Sequence, residues 1–298
     1  MCGRYTQTLS ADDLAAAMSA VDETGGRVRE SYNVAPTTEM PIVAASRPAA
    51  ASGGAVAAAD PGVGGASAAG PVAGGPVAGG PDRVLRLATW GLVPSWARDR
   101  SIGSRLINAR AETVAAKPAF RAAFAARRCL VPATGFYEWQ RVEGARRGQP
   151  YYVHPAGHPG ADGLFAFAGL YEVWRHGEQP LTTFTILTTD AAPGLEFLHD
   201  RSPVVVPRSA WSRWIDPEVR DPAALTGILR PAPAGVFTAH PVSSAVGSVR
   251  NDSPHLVDPV DAPAVEASGA AAGPGAKPVA PHEATLFEED GVRPPAPR

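Results

Sequence analysis

Short runs of β-branched and aromatic residues, separated by polar and turn-forming residues, recur along most of the chain and predict strands. The predicted strands are EMPIVAA (39–45), VLRLATWGLV (84–93), CLVPA (129–133), FYEWQRV (136–142), PYYVHP (150–155), LFAFAGLYEVW (164–174), TTFTILTT (182–189), PVVV (203–206) and GVFTAHPVS (235–243). The predicted helices are SADDLAAAMSAV (10–21), KPAFRAAFAARR (117–128) and SAWSRWID (209–216). Because strands dominate and do not alternate regularly with helices, the sequence predicts an α+β protein.

Two segments interrupt this pattern. Residues 48–82 and 259–298 consist mainly of Ala, Gly, Pro, Val and Ser and have very few large side chains. Such segments bury too little apolar surface to offset the entropy cost of ordering, so both are predicted to be disordered. The first is expected to be an insertion loop between two strands that pair, and the second a tail. Residues 1–258 are then expected to form a single domain.

Composition restricts the class of protein. The chain has 298 residues, of which 45% are hydrophobic, and its 27 basic and 29 acidic residues give a net charge of −2. Global charge therefore gives no support for nucleic-acid binding, which would need a local basic groove. Two cysteines without metal-type spacing favour the reducing cytoplasm. With no signal peptide and no apolar run of about 18 residues, we expect a cytoplasmic protein without a membrane segment.

Cys2 directly follows the initiator methionine. If Met1 is removed, this residue carries both a thiol and a free α-amine whose pKa is about 7.7–8.0. Such a 1,2-aminothiol condenses with an aldehyde to an imine, and the thiol then closes a five-membered thiazolidine. The alternative is a small buried cysteine in a chain that keeps Met1.

Three further positions carry polar groups suited to catalysis. Asn108, in LINARAET, is a candidate to orient a nucleophile, or else it caps a strand-to-helix turn. Glu138 lies between Tyr137 and Trp139, so in a strand it faces opposite to both aromatics, and it is either a general acid/base with a raised pKa or a solvent-facing carboxylate. His199 precedes an apolar strand, where it is either a proton carrier or an ordinary exposed histidine.

These positions lie within a longer series of motifs that resembles the SRAP family, named for the SOS response-associated peptidase. The motifs run in family order and are MCGRY (1–5), YNVAPT (32–37), WGLVPSWA (90–97), INARAET (107–113), RCLVPATGFYEW (128–139), FAGLYE (167–172), TILTTDA (185–191), LHDRSPVVV (198–206) and HPVSSAVGSVRN (240–251). The resemblance implies a single SRAP-type domain with a mixed, mostly antiparallel, open barrel-like β core and peripheral helices.

The resemblance also implies processing of abasic sites in single-stranded DNA during the DNA-damage response. In this family the mature N-terminal cysteine traps the abasic aldehyde as a thiazolidine crosslink, with lyase-type activity. Carried over, Cys2 is the nucleophile, Asn108 holds the terminus or the sugar, Glu138 shuttles protons, and His199 assists ring opening. The residues expected to contact DNA are Arg4, Trp96, Arg110, Lys117, Trp139 and Thr188.

Two other functions stay open. The first is a peptidase that uses Cys2 as nucleophile with His199 as base and removes its own Met1. The second is a non-enzymatic module that binds single-stranded DNA. The resemblance implies a nucleoid-associated monomer without metal or organic cofactor. Leu286 and Phe287 in the acidic tail resemble a weak sliding-clamp motif, although an incidental apolar pair is the commoner explanation.

Overall fold

The computed structural model describes residues 2–46, 82–141, 148–157 and 163–261. Within them the chain forms thirteen strands: β1 Arg4–Gln7, β2 Ala20–Asp22, β3 Ser31–Val34, β4 Glu39–Ala45, β5 Arg83–Trp90, β6 Asn108–Arg110, β7 Arg128–Ala133, β8 Gly135–Gln140, β9 Gln149–Pro155, β10 Phe165–Trp174, β11 Leu181–Asp190, β12 Arg201–Pro203 and β13 Phe237–Pro241. The helices are α1 Ala11–Met18, α2 Arg121–Ala126 and α3 Trp211–Ile215, with 3₁₀ segments at Arg100–Arg105, Arg208–Ala210, Pro222–Leu225, Ser244–Gly247 and Pro254–Val257.

Five strands close into a barrel. β10 pairs antiparallel with β11 and β7, β4 pairs antiparallel with β7 and β5, and a parallel pairing of β5 with β11 completes the ring. Parallel β2 and β6 and antiparallel β12 extend this sheet outside the ring. The predicted mixed, mostly antiparallel barrel is therefore confirmed.

The strands on either side of the low-complexity insertion pair as the sequence predicts. Val43 lies opposite Leu85 and Ala45 opposite Arg83 in the antiparallel β4–β5 ladder. The insertion predicted at 48–82 lies outside the described residues except for Asp82, and the tail predicted from 259 is described only to Asp261.

A second sheet of five strands, in the order β13-β9-β8-β1-β3, packs against the barrel. Tyr5 of β1 lies opposite Phe136 of β8, and both rings contact Phe167 of the barrel edge-to-face. This shared core positions the beginning of the chain between the two sheets. It also contains Cys2, which is fully buried.

The helices pack on the side of the barrel strands that faces away from the second sheet. They are shorter than predicted. Ser10 caps α1 by accepting a hydrogen bond from the Asp13 amide at 3.1 Å, as its sequence position indicates. α2 begins only at Arg121, where no side chain caps it. The strand predicted at 203–206 is replaced by β12 and an isolated bridge from Val205 to Phe167.

The sequence analysis missed β1, β2, β3 and β6. Each has three or four residues and is too short for a recognisable alternation. Their extended conformation is stabilised by pairing with strands distant in sequence, such as β1 with β8. None of the helices in the described ranges is long and apolar enough to cross a membrane.

Candidate active site

The beginning of the chain is held between β8 and β6. In the β1–β8 ladder Arg4 lies opposite Tyr137, and continuing this register by one residue places Gly3 opposite Glu138. On the other side, Asn108 begins β6, which pairs with β11, and its Nδ2 donates to the Cys2 carbonyl oxygen at 2.8 Å. Two of the predicted catalytic residues therefore flank the third.

The Cys2 thiol is buried and protonated. Its Sγ lies 3.9 Å from the Arg4 carbonyl oxygen, a weak hydrogen bond. Burial, and secondly the nearby Glu138 carboxylate, raise the pKa of the thiol far above its ordinary value, while the amino terminus of the chain acts in the opposite direction. Cys2 is therefore buried, as the alternative of a small buried cysteine predicts. Its thiol also lies near the Glu138 carboxylate.

Glu138 faces inward, so the alternative of a solvent-facing carboxylate is wrong. It shares a face of β8 with the core residue Phe136, while Tyr137 and Trp139 pack on the other side in a separate cluster. Burial raises the pKa of Glu138, and the amino terminus of the chain partly offsets this effect. A carboxyl group of this kind can carry a proton closer to neutral pH than an exposed one.

His199 lies in the segment between β11 and β12 and is partly buried. Its Nδ1 is 2.6 Å from Asp200 Oδ1 and 2.9 Å from the Arg201 amide nitrogen, so it either donates to the carboxylate or accepts from the amide. Burial lowers the pKa of His199, the amino terminus lowers it further, and Asp200 raises it. The Asp200 carboxylate also raises the pKa of Glu138, so the loop that carries His199 lies within electrostatic reach of Glu138.

A bidentate ion pair that the sequence analysis did not identify fixes this arrangement. Arg201 donates to both Glu112 carboxylate oxygens at 2.9 Å and to the Thr188 carbonyl oxygen at 2.7 Å. Hydrogen bonding from Arg201 lowers the pKa of Glu112. The pair ties the turn after Asn108 to the strand that begins two residues after His199. Each partner lies within a family-like motif, but nothing in the sequence pairs residues 89 positions apart.

Arg4, predicted to contact DNA, uses its guanidinium within the protein. It donates to Asn33 Oδ1 at 2.7 Å and to the carbonyl oxygens of Val246 at 2.8 Å and Gly247 at 3.3 Å. Burial lowers the pKa of Arg4. The residue therefore anchors the Ser244–Gly247 segment to β1, and its role in DNA binding stays a prediction.

The other predicted DNA contacts differ in accessibility. Trp96 is 58% exposed, and Arg110 and Lys117 are exposed. Trp139 is half-buried against the Tyr137 cluster. Thr188 is buried, and its Oγ1 has no hydrogen-bond partner among the residues that the structure describes. Across the described ranges, no group of three or more His, Cys, Asp or Glu side chains is arranged to hold a metal ion.

Comparisons with known proteins identify the family of this chain. The family model for SOS response associated peptidase (SRAP) matches residues 1–249. The chain is 42% identical over 170 residues to the abasic site processing protein YoqW of Bacillus subtilis, covering 57% of this chain and 74% of that one. It is 30% identical to the abasic site processing protein HMCES of Gallus gallus, covering 88% and 78%.

Similarity to solved structures supports the fold. A crystal structure of a protein from Bacteroides thetaiotaomicron superposes with a TM-score of 0.68 at 22% identity, covering 87% of this chain and all of that one. The sequence match, the barrel and the site around Cys2 lead to one conclusion: this chain belongs to the SRAP family.

Proposed function

We propose that this protein processes abasic sites in single-stranded DNA by forming a thiazolidine crosslink between Cys2 and the abasic aldehyde. The observation that carries the proposal is the position of Cys2, whose carbonyl oxygen accepts a hydrogen bond from Asn108 and whose thiol lies within electrostatic reach of Glu138. The names of the relatives YoqW and HMCES, which are abasic site processing proteins, support the same conclusion.

The reaction requires removal of Met1, which places the α-amine on Cys2. The free amine attacks the carbonyl carbon of the ring-opened sugar, and loss of one water gives an imine. The sulfur then adds to the imine carbon as the C=N electron pair moves to nitrogen, and nitrogen takes up a proton to match the one that the thiol gives up. Aldehyde and aminothiol thus give thiazolidine and water, without an oxidant or reductant.

The directions of the two pKa shifts support a division of the proton transfers. Glu138, whose pKa is raised, can donate a proton to the departing water and then accept the thiol proton. His199, whose pKa is lowered, is neutral near pH 7 and can exchange a proton with the sugar oxygen during ring opening. Asn108 fixes the Cys2 carbonyl oxygen and thereby the direction of the amine.

Exposed basic and aromatic side chains would hold the DNA. Arg110 and Lys117 are available for phosphates, and the exposed Trp96 ring for a base. Such contacts carry no sequence preference, which suits a protein that responds to a lesion rather than to a sequence.

A denaturing gel tests the proposal. We expect the protein, incubated with single-stranded DNA carrying one abasic site, to give a heat-stable shifted band. Cys2→Ala and an N-terminal extension that blocks the amine should both remove the band. Cys129→Ala is the matched control, because this second cysteine is also fully buried but lies on β7, and it should retain the band. A crosslink that persists in Cys2→Ala would refute the proposal.

The competing peptidase hypothesis predicts a different product from the same thiol. A cysteine peptidase needs a lowered thiol pKa, whereas burial and Glu138 raise that of Cys2. Cleavage of a peptide substrate by the wild type but not by Cys2→Ala would favour the peptidase hypothesis over the crosslink.

A further inference from the structure

An exposed aromatic ring lies next to the candidate active site and has no role in the chemistry proposed above. Phe197 is 49% exposed, and its ring packs edge-to-face on Tyr151 with the centroids 5.4 Å apart and the planes at 83°. The sequence analysis assigned no function to either residue.

The backbone fixes the position of this pair. Tyr151 of β9 lies directly opposite Glu138 in the β8–β9 ladder, so the two side chains share one face of the sheet. Phe197 precedes His199 by two residues. The pair therefore lies between the strand that carries Glu138 and the loop that carries His199, at the edge of the site.

The surrounding loop directs Phe197 outward. Its neighbours Leu195 and Leu198 are buried in the same core as Cys2, and the Leu198 amide donates to the Leu195 carbonyl oxygen at 3.0 Å. Tyr151 packs against that core and supports the Phe197 ring from below. A phenyl ring that is open to solvent and packs edge-to-face on a second ring can serve as a stacking platform for a base.

The charges nearby are largely paired with one another. Arg201 pairs with Glu112 and Asp190, whereas Arg141, which acts on the pKa of His199, is an exposed basic group on this side of the molecule. Of the acidic groups, Asp200 pairs with His199 and Glu196 accepts a hydrogen bond from the Gly194 amide at 2.7 Å. Single-stranded DNA binders combine basic side chains with aromatic rings on which successive bases stack.

We infer that Phe197, supported by Tyr151, stacks on the base next to the abasic site and holds the lesion over Cys2. The inference rests on the proposed function, since it names the contact that would present the substrate. The occupant is a DNA base, because an exposed planar ring beside the basic Arg141 and an aldehyde-reactive site matches a nucleobase adjoining the lesion.

Binding of DNA without the reactive aldehyde tests the inference separately from the chemistry. The probe is a fluorescent single-stranded oligonucleotide with one internal tetrahydrofuran, an abasic analogue that cannot open. Fluorescence anisotropy should show that Phe197→Ala weakens binding about fivefold or more, the lower end expected for loss of one stacked base. Phe197→Tyr should stay within twofold of the wild type. Val249→Ala, which truncates another exposed apolar residue, is the matched control and should also bind normally.

A second oligonucleotide distinguishes stacking from a general structural effect. Both nucleotides flanking the lesion are replaced by tetrahydrofuran, so no adjacent base is present. Wild-type binding should fall, and the difference between wild type and Phe197→Ala should disappear. Equal binding by Phe197→Ala and wild type on the first probe, or an unchanged difference on the second, would overturn the inference. If the wild type binds the probe and shows the Phe197 effect but forms no crosslink with aldehyde DNA, the proposed function fails while the stacking contact stands.

Discussion

The buried hydroxyl of Tyr5 provides a direct test of what an unpaired polar group costs the stability of this core. Tyr5 is fully buried, with its ring edge-on to Trp90 at 5.3 Å, and within the described part of the chain its hydroxyl has no hydrogen-bond partner. Burial raises the pKa of this phenol well above 10, so it stays protonated. An unsatisfied buried hydroxyl costs about 1–3 kcal/mol. Tyr5→Phe removes only this group and should leave stability unchanged or raise it by about 1 kcal/mol.

Two other core tyrosines are matched controls, because replacing them with Phe should lower stability. The Tyr152 hydroxyl lies 3.1 Å from Thr6 Oγ1 and donates to the Thr134 carbonyl oxygen at 3.2 Å, and the Tyr137 hydroxyl donates to the Tyr32 carbonyl oxygen at 2.8 Å. Replacing either with Phe removes a satisfied hydrogen bond and leaves a buried acceptor, which costs about 1 kcal/mol or more.

Urea unfolding at neutral pH measures all three variants against the wild type. For a domain of 150–250 residues, 1 kcal/mol also corresponds to about 2–4 °C in Tm. If Tyr5→Phe proves as destabilising as the other two, its hydroxyl has a partner and the reasoning is wrong. Equal stability of all three variants would also contradict it.

Three further predictions follow from single contacts. Arg128→Met should lower the free energy of unfolding by at least about 3 kcal/mol in urea titrations, because the buried guanidinium donates to several carbonyl oxygens, those of Phe124 at 2.6 Å and Trp214 at 2.5 Å among them. Burial lowers the pKa of His154, so the unfolded chain binds a proton on this imidazole more tightly than the folded chain does. The free energy of unfolding should therefore fall as the pH drops below the ordinary histidine pKa of 6.5. His154→Gln should reduce this pH dependence in urea titrations from about pH 7.5 to 5. Asn108→Asp replaces the amide that donates to the Cys2 carbonyl oxygen with a carboxylate that can only accept. Single-turnover crosslinking should slow about tenfold or more, while the circular dichroism spectrum is unchanged. A wild-type rate would show that this contact does not orient the nucleophile.

The sequence predicted long strands well and short ones poorly, for a physical reason. β4, β10 and β11 have seven to ten residues and carry their own apolar pattern. β1 has four residues, and its extended conformation depends on β3 and β8, to which it pairs. Pairing of this kind is a tertiary interaction, so a local pattern does not reveal it.

The catalytic candidates show the same limit at the level of side chains. Residue type and motif order identified Cys2, Asn108, Glu138 and His199, and alternation correctly put Glu138 on the face opposite its aromatic neighbours. Alternation alone could not show that both faces of β8 are covered. It also could not pair Arg201 with Glu112 or Phe197 with Tyr151, because such contacts depend on how distant strands are placed.

Burial in this site raises the pKa of the Glu138 carboxyl group and lowers that of the His199 imidazolium. These shifts bear on the sequence of steps in the proposed reaction. The pKa of Glu138 rises and that of His199 falls, so these two values move toward each other, while that of His199 moves further below the α-amine value of about 7.7–8.0. A smaller gap between carboxyl and imidazole lowers the free-energy difference for passing a proton between these two groups. The Cys2 thiol shifts away from this range, so its thiolate is scarce before DNA binds. In the proposed reaction the amine, which is roughly one-tenth free base at pH 7, therefore reacts first, and the sulfur follows at the imine carbon.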